Sequence, residues 1–281
     1  MTTPVKIGVP LFMLRPEHMA TVAEQAERLG FESVWVAEHL VFPTVIRSRY
    51  PYSSEGVPPI NPATPLLDPL LVLMQVAART ERIRLGTNVY ILPLRHPLAV
   101  ARMAMTLDLL SNGRLHFGVG LGWLEEEFDA VGLDFRSRGG RTREYVRAIR
   151  ALWTEPEPSF HGRYVSFGPL KFEPKPVQRP TPPIVFGGES AAALGDGWYG
   201  VGHSPESAAA QTARLRALLA QAGRSADAFE MTVSHGHAEL TRDDVARYAD
   251  AGVHRVVSLP WRRGREAADG LARLAERVLQ R

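Results

Sequence analysis

The fold is decided by residues 82–123, which read RIRLGTNVYILPLRHPLAVARMAMTLDLLSNGRLHFGVGLGW. The first nine form a short apolar run typical of a buried strand, and Pro97 then opens an apolar helix that ends at Asn112-Gly113. Proline suits the first position of a helix, because the N–H group that it lacks would be unpaired there. The run RLHFGVG is typical of a second buried strand. Two strands joined by a crossover helix predict a parallel sheet.

The same alternation of strand and helix patterns continues along the whole chain. The predicted strands are Lys6–Pro10, Glu32–Ala37, Arg82–Tyr90, Arg114–Gly120, Pro183–Gly188, Gly197–Gly202, Phe229–Gly236 and His254–Pro260. About eight strands that alternate with helices over about 250 residues predict an α/β fold, the TIM (β/α)8 barrel. A doubly wound open sheet is the alternative, but GVGLGW lacks the GxGxxG spacing of a dinucleotide-binding turn. We therefore expect a single barrel domain over residues 1–281.

Composition excludes several classes of protein. The chain has 281 residues, of which 45% are hydrophobic, a net charge of +3 and no cysteine. The lack of cysteine excludes disulfides and thiolate metal sites, and the lack of a basic run interleaved with aromatic rings argues against nucleic-acid binding. No run reaches the ~18 apolar residues that span a bilayer, and the first residues do not form a signal-peptide pattern. We expect a cytoplasmic protein without a membrane or nucleic-acid partner.

Two long segments interrupt the alternation. Val41–Pro65 carries six prolines, and Glu155–Pro183 is rich in proline and aromatic residues, with room for one hairpin. Long connections without a strand or helix pattern are usually functional or disordered, and we interpret the first segment as a substrate lid or an oligomer contact. Its candidate substrate-binding residues are Arg47, Arg49, Tyr50 and Tyr52. Trp261, which follows the eighth predicted strand, is a further candidate for substrate binding.

Several short motifs, taken together in their order and spacing, resemble the bacterial luciferase-like superfamily of flavin- and deazaflavin-dependent enzymes. They are VWVAEH at 34–39, RIRLGTNVYILPLRHP at 82–97, SNGR at 111–114, GVGLGW at 118–123, FGG at 186–188 and LGDGW at 194–198. They look most like the branch that uses the deazaflavin coenzyme F420. The resemblance implies a TIM barrel that binds the tricyclic ring of its cofactor at the C-terminal mouth, where barrel enzymes place their chemistry.

The resemblance implies roles for residues at the ends of the second and third strands. His39 would be the catalytic residue that faces the reactive edge of the ring, since imidazole suits proton transfer near neutral pH. The alternative is a histidine that only caps its strand, and Glu38 beside it would anchor the scaffold. Asn88-Val89 matches the position of a non-prolyl cis peptide that supports the cofactor ring, with an ordinary strand end as the alternative.

Two glycine-rich turns would hold the phosphate of the cofactor. The residues are Gly120, Leu121 and Gly122 in the first turn and Gly187, Gly188 and Ser190 in the second. Both turns open helices, whose N-termini favour anions, although the carboxylate of Glu189 would have to point away. Tight turns that need only small residues are the alternative.

The fifth crossover is shorter than the resemblance implies. Only residues 189–195 separate FGG from LGDGW, whereas a parallel crossover normally needs about 10–12 residues. We expect a single helical turn or an extended link at this place. The missing turns should leave a groove with exposed apolar helix flanks, which a second subunit or the segment Glu155–Pro183 would cover. Because luciferase-like enzymes often form dimers, the resemblance makes a homodimer the more natural choice.

The function implied by the resemblance is an oxidoreductase that transfers a hydride between F420 and an unidentified small organic substrate. One alternative is an FMNH2-dependent flavin monooxygenase supplied by a separate reductase, and another is a redox-silent barrel that binds the cofactor without turnover. No metal site is expected. His235 and His237 share one face of a predicted strand, but no third ligand accompanies them at a metal-binding spacing.

Overall fold

The computed structural model describes residues 4–51, 53, 55–58, 60–236 and 239–280, and at its centre is a closed barrel of parallel strands. Across these residues the eight barrel strands are β1 (Lys6–Pro10), β2 (Ser33–Val36), β3 (Arg84–Thr87), β4 (Leu115–Gly120), β5 (Ile184–Phe186), β6 (Gly197–Val201), β7 (Glu230–Gly236) and β8 (Arg255–Ser258). Each strand pairs with its neighbours in sequence, and β8 returns to pair with β1. The ring of strands is therefore closed, which confirms the TIM barrel and makes the open-sheet alternative wrong.

Helices between the strands cover most of the outside of the barrel. They are α1 (Met19–Leu29), α2 (Pro69–Ala77), α3 (Pro97–Leu110), α4 (Glu125–Ala130), α5 (Arg138–Thr154), α6 (Ala191–Leu194), α7 (Pro205–Gln221), α8 (Arg242–Asp250) and α9 (Ala267–Val278). The predicted caps are present, since Ser204 accepts the backbone N–H of Ser207, and Thr241 and Asp244 form a capping box. In the described part of the chain, no helix combines the length and apolar character needed to cross a membrane.

A separate cluster of side chains fills the inside of the barrel. It consists of Trp35, Val185, Tyr199 and Val257, all of them buried. Gly86 makes room for the indole of Trp35, because a Cβ atom at this glycine would lie 2.3 Å from the ring. The interior is thus a packed core, as in other TIM barrels, and a ligand has to bind at one end of it.

A charged network closes the N-terminal end of the barrel. Arg255 is fully buried, and its guanidinium donates to both carboxylate oxygens of Glu32, at 2.7 and 2.8 Å, and to Glu230 at 2.8 Å. Burial acts to raise the pKa of Glu230, but the positive groups around it, Arg255 foremost, outweigh this effect and lower the pKa to about 2. The N-terminal end is therefore occupied by a satisfied ionic network, which leaves the C-terminal end for a ligand.

The fifth crossover is a single helical turn, as predicted, because α6 has only four residues. The prediction of exposed apolar helix flanks, however, is wrong. None of the exposed large apolar side chains of the described residues lies on α5 or α7. The guanidinium of Arg224 instead closes the end of the turn by donating to the carbonyl oxygens of Ala192 (2.9 Å) and Gly195 (2.6 Å). The shortened crossover therefore gives no reason to expect a second subunit at this place.

The two long segments differ in structure. Residues 155–183 contain the predicted hairpin, in which Phe160–His161 pairs with Ser166–Phe167 in antiparallel fashion. The described residues of segment 41–65 form no helix or strand, and several of them lie over the C-terminal end of the barrel. This segment, together with the strand ends, forms the wall of the main cavity.

Candidate active site

A cavity of about 700 Å³ lies at the C-terminal end of the barrel. Most of its wall consists of residues at the ends of β2, β3, β4 and β5 and of part of segment 41–65. The predicted residues that line it are His39, Arg47, Arg49, Tyr50, Asn88, Val89, Gly120, Leu121, Gly122, Gly187, Gly188 and Ser190. Small-molecule sites typically measure about 300–1,000 Å³. Residues that are far apart in sequence thus share one cavity large enough for a cofactor-sized ligand.

His39 is held at the cavity wall by a buried carboxylate. Its Nδ1 atom lies 3.1 Å from Oε2 of Glu127, a residue with no exposed surface. The imidazole also packs against Phe42 and edge-on against Trp123, with ring centroids 4.5 and 5.5 Å away. The sequence reasoning missed Glu127. The available signal was the run of three glutamates, residues 125–127, that opens a helix directly after the fourth strand.

The peptide bond between Asn88 and Val89 is cis, which confirms the predicted conformation. The side chain of Val89 lies beside Gly120, where a Cβ atom would approach Val89 Cγ2 to 2.4 Å. Asn88 donates from Nδ2 to the hydroxyl of Tyr199 at 3.1 Å, and burial raises the pKa of Tyr199 to about 12. The ends of β3, β4 and β6 therefore fit closely together at this part of the wall.

Glu38 connects the end of β2 to the chain that follows the cis peptide. It accepts the backbone N–H of Ile91 at 2.5 Å, and its other oxygen lies 2.5 Å from Nη2 of Arg95. Burial raises the pKa of Glu38 to about 7, although the charge of Arg95 opposes the rise. These contacts suit the scaffold role that the sequence predicts for Glu38.

The two glycine turns lie on neighbouring parts of the cavity wall. Gly122 has a φ of +82°, a conformation that favours glycine, and nothing lies within 4 Å of the position where a Cβ on Gly188 would be. Glu189 turns outward and pairs with Arg214 at 2.6 Å, so its charge does not enter the cavity. The turn at Gly188 thus presents an accessible backbone without a competing carboxylate, even though α6 is too short to contribute much of a helix dipole.

Segment 41–65 is fastened over the cavity by Glu126. This carboxylate accepts the backbone N–H groups of Arg47 (2.5 Å) and Ser48 (3.1 Å) and the Ser48 hydroxyl (2.6 Å). Burial acts to raise the pKa of Glu126, but these hydrogen bonds outweigh it and lower the pKa to about 2. Tyr50 packs edge-on against Trp123 at 5.1 Å. Tyr52, also predicted to bind substrate, lies outside the described residues.

Trp261 does not lie in this cavity, which corrects its placement among the substrate-binding candidates. It is only 2% exposed, and its indole N–H donates to the carbonyl oxygen of Phe12 at 2.9 Å. It borders a smaller cavity of about 300 Å³ beside α9. Arg138, which the sequence reasoning did not single out, does line the main cavity, with its guanidinium 3.7 Å from the centre of the Phe135 ring.

His235 lies on β7 and belongs to no cluster of candidate metal ligands among the described residues. His235 places Nδ1 at 2.9 Å from the hydroxyl of Tyr248, whereas His237 lies outside the described residues. Over the described ranges, no group of three or more His, Cys, Asp or Glu side chains is arranged to hold a metal ion.

Comparisons with known proteins relate the chain to one family. The model of the luciferase-like monooxygenase family matches residues 5–278. An uncharacterised protein of Mycobacterium tuberculosis is 34% identical over 92% of this chain and 93% of its own length. An FMNH2-dependent dimethylsulfone monooxygenase of Pseudomonas putida is 34% identical over 53% of this chain and 43% of its own length.

A solved structure extends the likeness to the whole barrel. The F420-dependent secondary alcohol dehydrogenase in complex with an F420–acetone adduct has a TM-score of 0.78 at 17% identity, covering 97% of this chain and 98% of that one. At this identity the likeness shows the fold alone. The family match, in contrast, covers the barrel from β1 to α9 and includes every strand end that lines the cavity. The chain therefore belongs to the luciferase-like monooxygenase family and is an oxidoreductase of that type.

Proposed function

We propose that this chain transfers a hydride between the deazaflavin coenzyme F420 and a small organic substrate. The observation that carries the proposal is the presence of His39, the Asn88–Val89 peptide and both glycine turns in one cavity. The order and spacing of the sequence motifs favour F420 over FMN. The fold is shared with an F420-dependent dehydrogenase and with an FMN-dependent monooxygenase, so the choice rests on the motifs.

The residues present fit a tricyclic cofactor that carries a phosphate. The open space beside Gly188 leaves its backbone accessible to a ligand. Asn88 Oδ1 is a buried acceptor without a partner among the described residues, and an N–H group of a bound ring would satisfy it. The glycine turns would hold the phosphate, Val89 would support the ring and His39 would face its reactive edge. When bound, the cofactor supplies the hydride chemistry.

The part left to the protein is binding, orientation and proton transfer. His39 keeps only 9% of its side chain exposed, and its Nδ1 atom is engaged by Glu127. The other ring nitrogen, Nε2, is the atom that holds or releases a proton towards a substrate in the cavity. The rings of Phe42 and Trp123 beside it limit the access of water.

A flavin monooxygenase that uses reduced FMN is the second candidate. It is favoured by the 34% identity to the FMNH2-dependent monooxygenase of Pseudomonas putida over about half of the chain. A separate reductase would then be a partner of this protein. A barrel that binds cofactor without turnover is the third candidate.

Titration of the purified protein with F420 and with FMN tests the proposal. We expect a tighter Kd for F420, and oxidation or reduction of F420 under anaerobic conditions with a panel of alcohols, aldehydes and enones. Equal or tighter binding of FMN, with turnover that requires oxygen, would place the monooxygenase first. Tight binding without turnover of any acceptor would identify the redox-silent barrel.

We also propose a homodimer and a cytoplasmic location. The dimer rests on the family resemblance, since the shortened crossover supplies no apolar surface for a second subunit, and the location rests on the composition of the sequence. Light scattering on the purified protein should give twice the mass of one chain, and the mass of a single chain would reject the dimer.

A further inference from the structure

We infer that Glu127 is a positioning residue that keeps the proton of neutral His39 on Nδ1 and so leaves Nε2 free to exchange a proton at the cavity. The assignment of the tautomer stands on the geometry of the protein alone. Its consequence for turnover rests on the proposed function.

Glu127 engages donors with both of its oxygens. Oε2 lies 3.1 Å from His39 Nδ1, while Oε1 accepts the backbone N–H groups of Leu40 and, at 3.3 Å, Val41. Among the described residues, His39 is its only ion-pair partner. With Glu127 ionised, its carboxylate can only accept hydrogen bonds, so the 3.1 Å contact with His39 requires a proton on Nδ1. The contact thus specifies one tautomer of the ring.

This tautomer suits a group that exchanges protons. With the proton on Nδ1, the neutral ring has its lone pair on Nε2, and no described residue bonds to that atom. When Nε2 takes up a proton, the positive charge forms beside the carboxylate of Glu127, which stabilises it. The rings of Phe42 and Trp123 pack against the imidazole of His39 from two directions and so limit its rotation. The orientation and the tautomer of His39 therefore both depend on its surroundings, and Glu127 sets the tautomer.

The neighbouring glutamate provides a matched comparison. Glu126 lies on the same turn of α4 and carries the same charge, but it binds Ser48 and the backbone of Arg47 and makes no contact with His39. A change at Glu126 removes one negative charge from the same turn and leaves the contact between Glu127 and His39 in place. A general effect of charge near the cavity can thus be separated from the specific contact.

A purely structural role is the competing explanation, since Glu127 also ties the chain after β2 to α4. The substitution Glu127→Gln separates the two roles. The glutamine oxygen can still accept the N–H groups of Leu40 and Val41, so the structural tie is kept. Its NH2 group then faces His39 and donates to Nδ1, which moves the ring proton to Nε2.

The tautomer can be read from the 15N chemical shifts of the His39 ring in the protein without ligand. The chain has nine histidines, so the His39 signals are assigned by their loss in His39→Gln. We expect an Nδ1–H tautomer at pH 7.5 in the unsubstituted protein and in Glu126→Gln, and an Nε2–H tautomer in Glu127→Gln. An Nε2–H tautomer in the unsubstituted protein would overturn the inference even if no variant folds. An Nδ1–H tautomer in Glu127→Gln would also overturn the inference.

Turnover provides the second measurement. With the cofactor and acceptor identified as above, Glu127→Gln should lower kcat by about 10–100-fold, the loss typical when the hydrogen-bond partner of a metal-ligating histidine is removed. The Kd of the cofactor should change less than about threefold. A lower melting temperature together with an unchanged kcat would show a structural role and overturn the inference. Lack of any turnover in the unsubstituted protein would reject the proposed function, while the tautomer measurement would still decide the role of Glu127.

Discussion

At the scale of single residues, the imidazole of His39 is the group on which turnover should depend most. Its contacts to Glu127 and to two aromatic rings lie at the cavity wall, and no strand depends on them. We therefore expect His39→Ala to fold normally and to lose about 10²–10⁴-fold in kcat, the range typical of a positioned acid or base. His161→Ala is the control, because His161 is exposed on the hairpin away from the cavity. Equal kcat in both variants would assign His39 to the scaffold.

Residues at strand ends were predictable, whereas residues that depend on helix rotation were not. Asn88 directly follows β3, and His39 lies shortly after the end of β2. The carboxyl ends of parallel strands always meet at the mouth of a barrel. The side chain of Glu127 reaches His39 only because of the rotation of α4, which depends on the length of the turn before it. The position of Trp261 after β8 suggested the same mouth, but Phe12 offers a carbonyl that binds the indole elsewhere.

At the scale of elements, we expect the turn after β5 to contribute to cofactor binding but not to the stability of the folded protein. A side chain at Gly188 would extend into open space, so Gly188→Leu should fold with an unchanged melting temperature. The same side chain should weaken cofactor binding at least about tenfold, or 1.4 kcal/mol, because it occupies space beside the proposed phosphate position. Gly168→Leu, also beside open space but remote from the cavity, is the control. Unchanged affinity in Gly188→Leu would leave the phosphate to the turn at 120–122 alone.

The contact between segment 41–65 and α4 should control the mobility of that segment. The Ser48 hydroxyl donates to Glu126 at 2.6 Å and accepts the backbone N–H of Glu125 at 2.9 Å. Ser48→Ala removes both bonds, and a bond to a charged group contributes about 1.5–3 kcal/mol. We expect faster hydrogen exchange over residues 41–51 and a higher KM for substrate. Ser225→Ala, at an exposed turn with Asp227, is the control. Unchanged exchange in segment 41–51 would show that Ser48 does not hold it.

At the scale of the whole molecule, the ionic network at the N-terminal end of the barrel should contribute strongly to stability. Arg255→Met leaves Glu32 without its ion-pair partner and leaves Glu230 with Lys6 but without the buried guanidinium. Breaking a buried ion pair in this way typically costs about 3–5 kcal/mol. Arg79→Met, which breaks an exposed pair with Glu24, should cost about 0–1 kcal/mol. Denaturant unfolding measures both values, and equal costs would contradict the proposed role of the network.

The same network predicts how stability depends on pH. Because the pKa of Glu230 is about 2 in the folded protein, below its usual value near 4.5, its contribution is complete above about pH 4.5 and is lost as the pH falls towards 2. In Arg255→Met, Glu230 keeps Lys6 but loses the group that lowers its pKa most, so this contribution becomes smaller. The difference in free energy of unfolding between the two proteins should therefore shrink as the pH falls from about 4.5 towards 2. A difference that stays constant over this interval would show that the carboxylates do not depend on Arg255.

The single-turn connection between β5 and β6 bears on the order in which the chain folds. It pairs Val185 of β5 with Gly197 of β6. The pairing of β4 with β5, in contrast, joins Phe117 to Ile184 across residues 118–183. Closing a loop costs about 0.6 kcal/mol more for each doubling of its length, and contacts between residues close in sequence form faster. Pulsed hydrogen exchange during refolding should therefore show early protection of the β6 amides that bond to β5. Protection of β1 should follow later, because its partner β8 lies at the other end of the chain. The shortest crossover of the barrel is thus its expected nucleus, and the seam between β8 and β1 is the last to close.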